Sequence, residues 1–159
     1  MTFQITALPL APFAHLIGAP DSELARHNAV RQIADRAPGF PCRVSLRDAA
    51  PGETLILVNY THQPAGTPYR ASHAIYVREN ASQAALAPGE IPALFSQRLI
   101  SLRGFSAAGM MLEADVAVGP ALAQAIGALF GKPAIAYIHL HYAKPGCYAA
   151  RADRCVAGV

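Results

Sequence analysis

The chain has 159 residues, of which 53% are hydrophobic and 14% charged, with a formal net charge of +3. That balance excludes a disordered chain, and the length fits one domain whose core needs no metal or disulfide staple. Basic residues are scattered rather than gathered in a run, which argues against nucleic-acid binding. One or two arginines remain enough to grip a small anion.

The opening stretch, MTFQITALPLAPFAHLIGAP, lacks a charged leader, and Pro9 and Pro12 break its apolar run. Neither a signal peptide nor a membrane span is expected, so a cytoplasmic location is the expectation. Phe3–Leu8 alternates as a strand does. Asp21 or Ser22 is placed to cap a short helix with Glu23 in its first turn. Val30–Asp35 reads as a second strand, and Pro38–Pro41 as a rigid turn before Cys42–Leu46.

Thr54–Gln63, TLILVNYTHQ, starts β-branched and aliphatic and ends polar, the pattern of a central strand that emerges at an edge or pocket. A proline-containing loop joins it to an antiparallel partner, Ser72–Glu79. A loop of that length is more often functional or mobile than a tight turn. A short helix is expected after Pro92. Arg98–Phe105 and Met110–Val118 form a hairpin in which Met110, Leu112, Ala114, Val116 and Val118 share one face, and Glu113 and Asp115 the other.

The segment GPALAQAIGALFGKP is the clearest helix. Pro120 suits its first position and Gly131 and Pro133 its stop, with Leu122, Ile126, Leu129 and Phe130 at helical spacing. It feeds a strand over Ile135–Tyr142. The elements predict one α+β domain over residues 1–159: a mostly antiparallel β-sheet packed by one main helix, about 120–130, with short N-terminal helices.

The chemistry-bearing residues gather late. His139 and His141 are two apart on a strand and point to one face, roughly 7 Å apart at the backbone. As neutral imidazoles they can converge on a metal ion; equally, Tyr137, His139 and His141 form the polar face of a half-buried strand. Histidine-triad hydrolases carry a third alternating histidine, and here that position is Ala143, so the match is rejected. His62 closes one strand and His73 opens the next, with Tyr60, Tyr69, Arg70 and Ser72 at the same mouth. Should the two regions adjoin, three or four imidazoles, His62, His139 and His141 among them, make a transition-metal site. No other cofactor is expected. Glu113 or Asp115 offers a carboxylate, although a solvated face explains both.

Cys42, Cys147 and Cys155 form no CxxC pair and read as free thiols. Cys42 beside Arg43, or Cys147, is the candidate nucleophile if covalent chemistry occurs, and burial without reactivity is the alternative. In KPGCYAAR, Pro145-Gly146 turns the chain and delivers Cys147, Tyr148 and Arg151. Arg151 can anchor an anion with Lys144 and Tyr148 as further donors, or pair with an acidic residue on the sheet.

Taken together, GFPCRVSLRDAAPGE, LILVNYTHQP, TPYRASHAIYVRE, AGMMLEADV and YIHLHYAKPGCYAARADR resemble the bacterial family called domain of unknown function 1203, from about Pro38 to Arg154. The resemblance implies a small, single-domain, cytosolic protein and brings no catalytic assignment. The reading from the residues is a small-molecule-binding protein, with catalysis left open. Its pocket lies where the loop after His62 meets His139–Arg151. Arg43 and Arg151 hold an anionic group, Tyr69 and Tyr148 orient it, and His139 or His141 serves as acid, base or ligand. The alternatives are a non-catalytic interaction module, such as a homodimer using the same polar face, and a histidine-based metal-binding protein.

Overall fold

A computed structural model describes residues 2–155 of the chain. The strands are β1 (Thr2–Thr6), β2 (Ala29–Ile33), β3 (Thr54–Gln63), β4 (Ala71–Arg78), β5 (Leu99–Phe105), β6 (Met111–Val118), β7 (Tyr137–Tyr142) and β8 (Tyr148–Cys155). The helices are α1 (Asp21–Arg26) and α2 (Leu122–Phe130), and single 3₁₀ turns cover Ala11–Leu16, Ala93–Phe95 and Gly119–Ala121. The strands form a five-stranded sheet in the order β1-β8-β7-β5-β6 and a three-stranded sheet in the order β2-β3-β4. Every pairing between these strands is antiparallel, and an isolated parallel bridge joins Cys42 to Tyr76 of β4. The α+β architecture read from the sequence is the one observed.

Helix α2 closes one face of the large sheet. Its Leu122, Ile126, Leu129 and Phe130 are buried against Ile100, Leu102, Ile138 and Leu140. The small sheet has its own core, in which Ile56, Val58, Ile75 and Val77 meet Phe13, Leu16, Leu24 and Tyr148. The segment after the proline turn ties the two parts together: Arg43 N–H donates to the Tyr76 carbonyl, and Leu8 N–H donates to the Arg43 carbonyl.

All six residues of β7 are buried. A strand with one solvated face is therefore not what forms here. Ile138, Leu140 and Tyr142 face α2, while the alternate residues Tyr137, His139 and His141 point the other way. There they meet side chains of the small sheet.

Two local expectations are corrected, the cap of α1 and the open face of β6. Neither Asp21 nor Ser22 caps α1: Pro20 holds the cap position, and Asp21 is the first helical residue, its carboxylate accepting from Arg31 at 2.8 Å. Gly131 ends α2 as expected, in a right-handed conformation with φ −60°. On β6 the apolar face is the open one: Leu112, Val116 and Val118 are exposed. The cause is that β6 is an edge strand and α2 packs on its other face, where Ala117 joins the core and Glu113 pairs with Lys132.

Candidate functional site

Two irregularities in the strand ladders build the site. In the β3–β4 ladder, Thr61 pairs with Ser72 and Gln63 with Ala71, so His62 is the extra residue of a bulge. In the β7–β8 ladder, Leu140 pairs with Ala150 and His141 with Tyr148, which makes Ala149 extra. Bulges re-aim side chains; the second one sets Tyr148 on the histidine side of the large sheet.

His62 is the hub. Its Nδ1 lies 3.3 Å from His139 Nδ1, and its Nε2 lies 2.7 Å from His73 Nδ1. The His62 ring stacks on Tyr148 with centroids 4.9 Å apart, and the His141 ring meets it edge-on at 5.0 Å. His62, His139 and His141 can each offer one nitrogen, all within 4.8 Å of one another.

The tautomer of His141 follows from its partner. Its Nδ1 lies 2.9 Å from the Gly146 carbonyl oxygen, which can only accept, so Nδ1 carries the proton. The Nε2 lone pair is left buried and without a hydrogen-bond partner among the described residues. This is unusual in a native interior.

Burial holds these rings neutral by stripping water from the charged form. It pushes His62 down to about 4, His139 to about 3 and His141 to about 2. His73, at the rim, is lowered by the same cause. Neighbouring Arg103 pushes all four the same way.

The remaining residues singled out in the sequence divide into two groups. Arg43, Lys144 and Cys147 line a pocket of about 570 Å³, and His73 reaches its wall from the histidine cluster. Arg43 is fully committed there: Nε donates to the Tyr148 carbonyl at 2.7 Å, Nη1 to the Pro41 carbonyl, and Nη2 to Cys147 Sγ at 3.0 Å. Its guanidinium also lies over the Tyr142 ring. The Tyr142 hydroxyl is buried without a hydrogen-bond partner among the described residues, and burial raises its pKa.

Arg151 does not line that pocket. Opposite His139 in the ladder, it forms a two-pronged pair with Asp153 and lies 4.1 Å over the Tyr137 ring. Arg43 and Arg151 therefore do not share the pocket. Tyr69 and Arg70 sit in the loop beyond β3, Tyr69 edge-on to Phe105 and Arg70 donating to the Pro64 carbonyl. Tyr60 packs on Phe13 in the small-sheet core. Cys42 is buried at 0% exposure, its sulfur accepting from the backbone of Ser45 and Arg78. Glu113 lies on the α2 side of the sheet, as does Asp115, which pairs in the ladder with Leu102; neither reaches the imidazoles.

Sequence reasoning passed over Arg103 and the Gly146 carbonyl. Arg103 is the ladder partner of His139, so its side chain leaves the sheet on the histidine face. Alternation within β5 gives its parity, but only the β5–β7 register brings it to His139.

No curated protein matches the chain, and no solved structure does. A family model described as a protein of unknown function (DUF1203) matches residues 39–154. That span holds all four clustered histidines and both bulges, and the chain belongs to the DUF1203 family.

Proposed function

We propose that the chain is a metal-binding protein that holds one transition-metal ion through His62 Nδ1, His139 Nδ1 and His141 Nε2. The observation that carries this reading is the Nε2 lone pair of His141, buried, unpartnered and fixed in place by the bond from Nδ1 to Gly146. Such an outer bond from the second ring nitrogen is how metal-ligating histidines are oriented. The His62–His139 separation of 3.3 Å matches the edge of a tetrahedron built on metal–nitrogen bonds of about 2.1 Å. The full spread of the three nitrogens, 4.8 Å, exceeds that edge, and a shift of about 1.5 Å by His141 closes it.

In this arrangement His62 donates from Nε2 to His73 Nδ1, which frees His62 Nδ1 for the ion and gives that ligand the same outer support. Three neutral nitrogens suit zinc and its first-row neighbours, whereas calcium and magnesium select oxygen. Three protein ligands leave a fourth position for water or a small molecule. Titration of the purified full chain with zinc against a chromophoric chelator tests the reading. Binding of one equivalent, abolished in His139→Ala and in His141→Ala, is expected. Equal zinc uptake by wild type and both variants contradicts it.

A second reading, small-molecule binding, rests on the pocket of about 570 Å³, a size usual for such ligands. Tyr142, whose buried hydroxyl has no hydrogen-bond partner among the described residues, is one of its lining residues, and the pocket meets the cluster at His73. The two readings are compatible, because His73 both lines the pocket and lies 2.7 Å from His62 Nε2. A Tyr142→Phe variant that binds small-molecule probes as wild type does removes the support that the hydroxyl gives.

A further inference from the structure

Arg103 stands apart among the described arginines. Each other buried or half-buried one donates to a carboxylate or a carbonyl: Arg31 to Glu79, Arg43 to Tyr148, Arg78 to Glu53, Arg98 to Asp48, Arg151 to Asp153 and Arg154 to Ile135. Arg103 is half-buried and makes neither a hydrogen bond nor an ion pair among the described residues. A guanidinium in that state has lost part of its hydration and gained nothing in exchange. Burial accordingly lowers its pKa.

Among the described residues, no acidic side chain on the histidine face is free to serve it. Asp153 is held by Arg151, and Glu113 and Asp115 lie on the opposite face with α2. Imidazoles that ligate a metal are themselves uncharged. A divalent ion on three uncharged nitrogens keeps its full charge, so the site as a whole calls for an anion.

We infer that the site takes a small carboxylate, one oxygen at the ion's open position and the other on the Arg103 guanidinium. This rests on the metal reading above. A planar carboxylate matches what is present: one oxygen meets the ion and the other accepts from the guanidinium's paired N–H donors. A phosphate dianion calls for more donors than this single side chain supplies. The ladder partner of Arg103 on its other side is Ala114, flanked on the same face by exposed Leu112 and Val116. An apolar group attached to the carboxylate finds matching surface there.

Cobalt(II) supplies the probe, since its visible absorption changes when a ligand enters the open position. The full chain is loaded with cobalt(II) and titrated with acetate, for wild type, Arg103→Gln and Arg103→Lys. The expected result is a saturable spectral change in wild type. In Arg103→Gln the acetate affinity falls by roughly 10–100-fold, with cobalt stoichiometry unchanged; Arg103→Lys, which keeps the charge but not the fork, falls between. Retained cobalt binding also shows that the variants are folded. Cobalt binding with no acetate response, or the same response in all three proteins, overturns the carboxylate site while the metal reading stands. A wild-type chain that takes up no cobalt overturns both.

Discussion

His141 donates from Nδ1 to the carbonyl of Gly146, 2.9 Å away, across the turn that joins β7 to β8. Gly146 adopts φ +76°, a region that costs a residue with a Cβ about 1 kcal/mol or more. The turn glycine thus fixes the tautomer and direction of a buried imidazole five residues earlier in the chain.

Gly146→Ala tests that link. A Cβ there meets nothing within 4 Å, so the only disturbance is backbone strain, which displaces the carbonyl. Zinc affinity is expected to fall by about 10–100-fold, the usual effect of losing an outer-shell partner. An affinity equal to wild type contradicts the role given to the turn.

The metal-free chain is expected to be acid-sensitive, in a direction set by burial. Folded pKa values near 4, 3 and 2 for His62, His139 and His141 lie below the unfolded value of about 6.5. The unfolded chain therefore binds protons that the folded chain refuses. Stability is fully present above about pH 6.5 and is lost as pH falls toward the folded values, at up to about 1.4 kcal/mol per histidine per pH unit. Urea unfolding at a series of pH values between 7.5 and 5 measures this. A flat profile contradicts the burial of three neutral imidazoles.

Arg43 is expected to be a structural residue. Removing it strands the carbonyls of Pro41 and Tyr148 in a dry setting. Arg43→Met should lower stability by about 2–4 kcal/mol. Arg43→Lys should recover little, because an ammonium cannot span three acceptors in a fork. Denaturant unfolding reads both; wild-type stability in Arg43→Met leaves the residue free to hold a ligand instead.

Much of this fold was legible because hydrophobic pattern and turn chemistry agree. The polar end of Thr54–Gln63 announced an emerging strand, and the observed strand has those limits. The hairpin over Arg98–Val118 and the helix near residue 120 followed from alternation and from Pro120. Burial on β6 was not legible: its apolar face reads as a core face, yet it lies at the edge of the large sheet, and α2 covers the other side. Sequence spacing alone placed His62 and His73 near each other, since their strands pair. What brought them to His139 and His141 was the packing of one sheet on another. The bulges at His62 and Ala149 carry no turn residue to mark them. The same gap hid Arg103, whose importance lies in its register opposite His139 rather than in any local motif.

The central claim, three histidine nitrogens on one ion, is met most directly by X-ray absorption at the zinc edge of the full chain loaded with one equivalent. The account predicts three imidazole scatterers at about 2.0–2.1 Å and one lighter oxygen ligand, with the imidazole signal lost in His141→Ala. A sulfur scatterer at about 2.3 Å, which would point to Cys147, or a shell of oxygens without imidazole, would contradict it.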